Sequence, residues 1–155
     1  MSDQEAQSRR WPYGVLMLVY AAVVGPLLLV ARRRKLLRES PSPVEIVVYG
    51  IATHKLSRLL SREKVTSVLR SPFTEFEEPS HLSEVNERPR GRGMRRAIGQ
   101  LLACPFCLGM WVASGFTLGA AYLPGPTVAV ASLLNSLALS DFLHIAYVRA
   151  ARAVE

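Results

Sequence analysis

The sequence predicts an all-α, polytopic membrane protein with three transmembrane helices and one amphipathic helix at the membrane interface. Half of its 155 residues are hydrophobic, and they are concentrated in long uncharged runs of the kind that cross a bilayer. Basic residues stand at the ends of these runs, and the formal net charge is +7. This arrangement favours a lipid bilayer with anionic headgroups as the partner, and it argues against nucleic acid. The excess of Arg over Lys is typical of a GC-rich bacterial genome.

The first element is a membrane anchor within residues 1–38. Residues 11–31 carry no charge and are enough to cross a hydrocarbon core of roughly 30 Å. Trp11 and Tyr13 stand at one end, as interfacial aromatic residues do. The basic residues that follow predict a stop-transfer cluster: Arg32, Arg33, Arg34, Lys35 and Arg38. A cleaved signal peptide is the alternative, but no A-x-A-like cleavage site follows the run.

The second element is an amphipathic helix over residues 44–65. Ser42 and Pro43 suit the start of a helix. Apolar residues then recur with a period near 3.6, while polar residues gather on another face. We expect this helix to lie at the membrane interface. A spanning helix is the alternative, because residues 44–53 are apolar enough to enter the bilayer.

The third element is a polar, charged connector over residues 66–100. An acidic patch is followed by a basic patch, and Pro and Gly interrupt both. We expect a largely mobile, solvated loop whose charges neutralise one another. A docking site for a partner is the alternative.

The last element is a transmembrane helical hairpin over residues 101–148. Two apolar runs, 101–123 and 126–148, are joined by the short Pro-Gly-Pro turn 124–126. Small residues predict close helix packing, either within the hairpin or between subunits of a homo-oligomer. These residues are Gly115 and Gly119 on the first run and Ser132, Ser136 and Ser140 on the second.

The positive-inside rule predicts the orientation. Most basic residues lie between residues 32 and 96. Three spans place the N-terminus outside, and they place residues 32–100 and the C-terminus in the cytoplasm of a bacterial cell. Four spans would force one basic cluster to cross the inner membrane, so three spans are preferred.

Two cysteines, Cys104 and Cys107, open the hairpin and are the only ones in the chain. Structural packing, a metal site and a redox pair are all open readings. A C-x-x-C pair near a helix start supports thiol exchange, but no thioredoxin-like βαβ pattern surrounds it. Two thiols supply only half of the usual zinc ligands. We therefore favour packing and predict neither a bound metal nor a cofactor.

Asp141 is the most informative charge of the hairpin, because a carboxylate inside a membrane usually has a partner. Arg58 on the amphipathic helix is our predicted partner, with His54 or His144 nearby, although Lys55 could also reach. An anchoring ion pair is the favoured reading, and a proton or ion relay is the alternative.

These residues together resemble domain-of-unknown-function family 1360, a family of bacterial and phage membrane proteins. The family string C-P-x-C-x-G-x-W is matched by Cys104, Pro105, Cys107, Gly109 and Trp111. An R-L-x-R-L-like helix is matched by residues 54–60, with Lys55 in the usual Arg place, and Glu63 and Arg70 follow. The resemblance covers about residues 44–148. It implies a fold and a membrane location, and it implies no reaction.

The sequence therefore predicts a small integral membrane protein that is not an enzyme and acts as an interaction partner or scaffold. In this interpretation Cys104, Cys107 and Trp111 anchor the fold beside Asp141 and Arg58. A holin-like or lysis-accessory protein is one alternative, because small size and basic flanks fit it. A membrane-tethered thiol-redox or metal-binding protein is the other.

Overall fold

The computed structural model describes residues 10–37, 40–79 and 84–153. Helices dominate these residues, which confirms the all-α class apart from one small hairpin. The helices are α1 (Trp11–Arg33), α2 (Pro43–Arg62), α3 (Ser67–Arg70), α4 (Gly93–Ala103), α5 (Pro105–Tyr122) and α6 (Pro124–Arg152). The strands are β1 (Thr74–Pro79) and β2 (Val85–Pro89), and a 3-10 turn (Lys64–Thr66) precedes α3.

Proline and capping residues define the helix starts. Pro lies in the first turn of α1, α2, α5 and α6, where its missing N–H costs no hydrogen bond. At α2, the Ser42 hydroxyl accepts from the Glu45 backbone N–H, and the Glu45 carboxylate accepts from the Ser42 backbone N–H. This capping box confirms the predicted helix start.

Helices α1 and α5 run parallel to each other. The hydroxyl oxygens of Tyr20 and Ser114 are 2.6 Å apart, and further along the pair the Tyr122 hydroxyl donates to the Leu27 carbonyl at 3.0 Å. The last turn of α1 therefore lies at the same end as the 124–126 turn, which we call the turn end. The opposite end, where α5 begins, is the cysteine end.

Helix α2 packs lengthwise against both α5 and α6. The rings of Tyr49 and Phe116 stack with centroids 5.7 Å apart, and Asn135 donates to the Val48 carbonyl at 3.2 Å. Around them lies the core cluster of Ala52, Phe116, Ala131 and Leu134. About two turns further toward the C-terminal ends of α2 and α6, Lys55 forms an ion pair with Asp141. Helix α2 thus runs antiparallel to α5 and parallel to α6, and it is the central helix of the bundle.

The four long helices form an up-down-up-down bundle. Helices α1 and α6 are long and apolar enough to cross a membrane, and α4 with α5 would add a third span if that pair, bent by 78°, is counted as one. Helix α2 does not meet the same criterion over the described residues. The number of spans predicted from the sequence is therefore compatible with the structure. The interfacial position predicted for α2 stays a prediction, although α2 packs along α5 and α6.

The helix directions are inconsistent with the predicted orientation. In that orientation α1 runs from the outside to the cytoplasm, and α5 runs from the cytoplasm to the outside. The two helices would therefore be antiparallel. They run parallel, and Arg32 and Arg33 at the end of α1 consequently lie at the turn end. The positive-inside rule was applied to residues 32–96 as one block, whereas α2 carries the chain from one end of the bundle to the other between the two basic clusters.

Much of the predicted loop 66–100 is folded. Strands β1 and β2 pair antiparallel, with an irregular register between Phe76 and Glu78, and α4 packs against β2. Gly99 permits this contact, because a Cβ there would lie 2.4 Å from the Phe73 carbonyl oxygen. The expectation of a mobile connector is therefore wrong for these elements. Several charged side chains of the two strands form ion pairs, as with Glu75 and Glu87.

Candidate functional site

The cysteine segment forms the junction between α4 and α5. Cys104 ends α4 in an extended conformation and is the N-cap of α5. Its sulfur accepts a hydrogen bond from the Cys107 backbone N–H at 3.3 Å, and Pro105 follows at the first helical position. The sulfur therefore does what a Ser or Asp oxygen does at most helix starts. Both thiols are free; Cys104 is half-buried and Cys107 is exposed.

Two further residues of the string bring neighbouring helices onto α5. The Trp111 ring meets the Tyr20 ring of α1 edge-on, with centroids 5.0 Å apart and planes at 79°, which is a favourable aromatic geometry. Gly109 faces α2, since a Cβ added there would lie 3.6 Å from the buried Ser57 hydroxyl. That is an ordinary contact distance, so Gly109 permits a close approach without being strictly required.

The string thus connects α5 to three elements. A family model described as protein of unknown function, DUF1360, matches residues 48–147, which include all of these contacts except those of α1. The chain belongs to this family. The resemblance read from the Cys104–Trp111 string is confirmed.

One relative in this comparison is named sporulation protein YjcA and comes from Bacillus subtilis (strain 168). It is 35% identical over 82 residues, which cover 51% of this chain and 70% of the relative. No solved structure gives a significant match. The relative supports a bacterial origin, which was predicted from composition.

In this DUF1360 member, the residue that forms an ion pair with Asp141 is not the predicted one. Lys55 Nζ lies 2.9 Å from Asp141 Oδ2 and 2.7 Å from Glu63 Oε1. Arg58 instead donates to Glu84 of the connector, from Nε at 3.1 Å. Lys55 and Arg58 are nearly one turn apart, and α2 is rotated so that Lys55 faces α6. The Asp141–Arg58 prediction was therefore wrong, although an ion pair does tie α2 to α6.

The two histidines take no part in this cluster. His54 and His144 are both exposed, and neither forms a hydrogen bond or an ion pair with another described residue. Over the described residues, no group of three or more His, Cys, Asp and Glu side chains is placed to hold a metal ion. The contact between the two cysteines is the hydrogen bond from the Cys107 backbone N–H to the Cys104 sulfur.

The residues matched by the family model include a buried ion pair that the sequence did not predict. The side chains of Arg70 and Glu87 are 1% and 5% exposed. Arg70 donates to Glu87 from Nη2 at 2.8 Å and from Nε at 3.0 Å. It also donates to the carbonyls of Leu60 and Glu63 at the end of α2, and to the Thr66 hydroxyl. Arg70 therefore caps α2 and fixes it to β2. Its match to the family pattern was the available signal, but that pattern names no partner.

A second, exposed ion pair holds the hairpin itself. Glu75 on β1 lies 2.9 Å from Arg90 and 3.2 Å from Arg88. The hydrogen bond from Arg90 lowers the pKa of Glu75, with a smaller contribution from Arg88. The connector charges thus pair across the hairpin.

Only some of the described small residues that were predicted for helix packing lie in a helix contact. Gly119 lies against Thr127, whose hydroxyl would be 2.6 Å from an added Cβ, while no atom lies within 4 Å of that position at Gly115. The serines predicted to face these glycines are exposed on α6: Ser132, Ser136 and Ser140. The hairpin therefore packs through Gly119 and Thr127, and the serine stripe is not part of that contact. Packing of the stripe between subunits stays a prediction.

Proposed function

We propose that the chain is a multi-pass protein of the bacterial inner membrane with a non-enzymatic scaffold role. The observation that supports it best is the use of the family string in helix contacts: Cys104 caps α5, Trp111 packs on α1, and Gly109 faces α2. One relative is named a sporulation protein, and a membrane scaffold can fill such a role without catalysis.

The topology we propose has four crossing segments: α1, α2, α5 and α6. The N-terminus, the connector and the C-terminus then face the cytoplasm, whereas the end of α1, the start of α2 and the 124–126 turn face outward. Two observations support it. Helix α2 connects the two ends of a bundle whose other members are apolar, and every basic residue outside the 32–38 cluster then belongs to the cytoplasmic half, in line with the positive-inside rule.

The charges of α2 are the main cost of this topology. Lys55 is only 12% exposed, and it has both Asp141 and Glu63 as partners. Lys55 lies in the second half of α2, seven residues before its last residue Arg62, and a charge with carboxylate partners is tolerated in a crossing helix far better than a single charge. The ion pair therefore makes a crossing α2 compatible with its sequence.

Cysteine accessibility in intact cells tests the topology. In a background with Cys104→Ala and Cys107→Ala, we would introduce Ser40→Cys, Gly125→Cys and Ala150→Cys one at a time. We expect an impermeant maleimide to label the first two from outside, and the third only after permeabilisation. Labelling of Gly125→Cys but not of Ser40→Cys would restore the three-span alternative.

Paired substitutions of Cys104 test the scaffold role. Ser keeps a side-chain acceptor at the N-cap and Ala does not, so Cys104→Ser is expected to assemble normally while Cys104→Ala loses about 1 kcal/mol. Thermal unfolding of the purified protein measures the difference, and Cys107→Ser is the control. If Cys104→Ser folds normally but fails to complement a deletion strain, the thiol-redox or metal alternative gains support; the exposed Cys107 thiol is the feature that favours it.

A further inference from the structure

Helix α4 lies where the first and third crossing segments begin. It is bent by 78° from α5. If α5 crosses the bilayer, as the proposed function requires, α4 runs nearly along the membrane surface. Its sequence is amphipathic, with Ala97 and Gly99 buried and Arg95 and Arg96 exposed. A short basic amphipathic helix in this position is typical of a membrane-surface element.

The start of α1 fixes the depth of α4. The Tyr13 hydroxyl donates to the Gln100 side chain, so the two helices meet at this level. Trp11 and Tyr13 are 53% and 43% exposed, although both are large aromatic residues at the end of an apolar helix. Such residues concentrate at the level of the lipid headgroups. The contact therefore brings α4 to headgroup level by an argument independent of its bend.

The arginines of α4 lack the carboxylate partners that others have. Arg92 precedes α4 as its N-cap, Arg96 lies in the first turn of the helix, and Gln100 lies one turn after Arg96 on the same face. Neither arginine forms an ion pair within the described residues. Arg95 donates to the Pro72 carbonyl at 2.9 and 2.7 Å, and no carboxylate of residues 10–37, 40–79 or 84–153 forms an ion pair with it.

The contrast with the neighbouring arginines is clear. Carboxylates within 4 Å compensate the arginines at positions 58, 70, 88 and 90. Among the described arginines of residues 66–100, those without a carboxylate within 4 Å are thus Arg92, Arg95 and Arg96. The α4 face that bears Arg96 continues through Gln100 to Tyr13.

We propose that this face binds the headgroups of anionic phospholipids. The headgroup site consists of Arg92, Arg96, Gln100, Trp11 and Tyr13. The arginines supply charge and hydrogen-bond donors for a phosphate, and the aromatic residues lie at the glycerol level beneath it. The proposal rests on the crossing of α1 and α5, and it assigns the membrane-surface role to α4 instead of α2.

Native mass spectrometry of the full-length protein tests the site. The purified protein is mixed with equal amounts of phosphatidylglycerol and phosphatidylcholine, and the ratio of bound adducts is measured. An arginine at an anionic surface contributes about fivefold to association, the equivalent of roughly 1 kcal/mol. We expect Arg92→Gln with Arg96→Gln to reduce the phosphatidylglycerol excess at least fivefold.

Two controls remove positive charge elsewhere. Arg88→Gln removes a single exposed charge that Glu75 already compensates, and Arg32→Gln with Arg33→Gln removes two charges at the turn end. Both are expected to keep the excess of the unmodified protein. If the α4 variant keeps it too, or if the turn-end variant loses as much, the site is overturned. The labelling of Gly125→Cys and Ser40→Cys does not depend on lipid class, so failure of the proposed topology would be recognised separately.

Discussion

Removal of Arg70 is expected to destabilise the fold more than removal of any exposed arginine. In an Arg70→Met variant, Glu87 remains 5% exposed and loses both hydrogen bonds from the guanidinium. The carbonyls of Leu60 and Glu63 lose their donor as well. Breaking a buried ion pair by removing one partner costs about 3–5 kcal/mol. The ratio of folded to unfolded protein should therefore fall by a factor of at least about 100.

The matched control is Arg88→Met. Its side chain is 65% exposed and its partner Glu75 is 38% exposed, and an exposed pair of this kind contributes at most about 1 kcal/mol. Denaturant unfolding in mild detergent, followed by tryptophan fluorescence, would compare the two. A double variant, Arg70→Met with Glu87→Leu, should recover much of the loss because no unpaired charge remains buried.

The result that would refute this reasoning is equal stability of Arg70→Met and Arg88→Met. It would mean that water or the detergent headgroups reach Glu87 and compensate its charge. Failure of the double variant to recover would indicate that capping of α2, and not charge compensation, is the main role of Arg70.

Three further predictions follow from other contacts. Gly119→Ala should lower the thermal unfolding midpoint, because the added Cβ would lie 2.6 Å from the Thr127 hydroxyl. In the control Gly115→Ala, the added Cβ meets no atom within 4 Å, so this variant should be neutral or stabilised by up to about 1 kcal/mol. Equal midpoints would contradict the packing of the hairpin through Gly119. In the same assay, Lys55→Met should destabilise the fold more than Asp141→Asn. Lys55→Met leaves both Asp141 and Glu63 without their partner, whereas Asp141→Asn leaves Lys55 paired with Glu63. The reverse order would contradict the central position of Lys55 in this cluster. The lowered pKa of Glu75 means that its stabilising contribution is present above the ordinary pKa of 4.5 and is lost as the pH falls through the folded value. The protection factors of the hairpin amides, which are exchange rates corrected for the intrinsic pH dependence, should therefore fall below pH 4.5. Protection factors that stay constant where Glu75 titrates would contradict the pair with Arg90.

The sequence predicted the apolar helices well, because a long stretch of residues with few or no charges is a sufficient signal for such a helix. Residues 11–31 became α1, and the run 126–148 lies within α6. The start of α2 followed from Ser42 and Pro43 because capping is a local interaction. The uncharged run 101–123 was less informative, since its break at Cys104 reflects the Cys-Pro junction and not a change of polarity.

The position of α2 could not be predicted from its periodicity. A helix with one apolar and one charged face fits the membrane surface and equally fits a bundle in which the charged face finds partners. The choice depends on Lys55 meeting Asp141, which is 86 positions away in the sequence. The partner of Asp141 was mistaken for the same reason: Arg58 and Lys55 are close in sequence, and only the rotation of α2 distinguishes them.

The connector was misread because composition does not reveal pairing. Its acidic patch followed by a basic patch resembles a solvated loop, yet Arg70 and Glu87, which are 17 positions apart, are buried together. Similarly, the serine stripe of α6 has the spacing of a packing face, but the neighbouring face with Ala131, Leu134 and Ala138 is the buried one.

Helix α1 lies outside the residues matched by the family model, and it contributes one crossing on the proposed topology. On that proposed topology the residues matched by the family model make three crossings, so the two ends of the matched segment would face opposite compartments. One helix added in front makes the number even and brings both ends of the chain to the cytoplasmic side. A reporter fused to the N-terminus would therefore change compartment when α1 is deleted, while a reporter at the C-terminus would stay where it was.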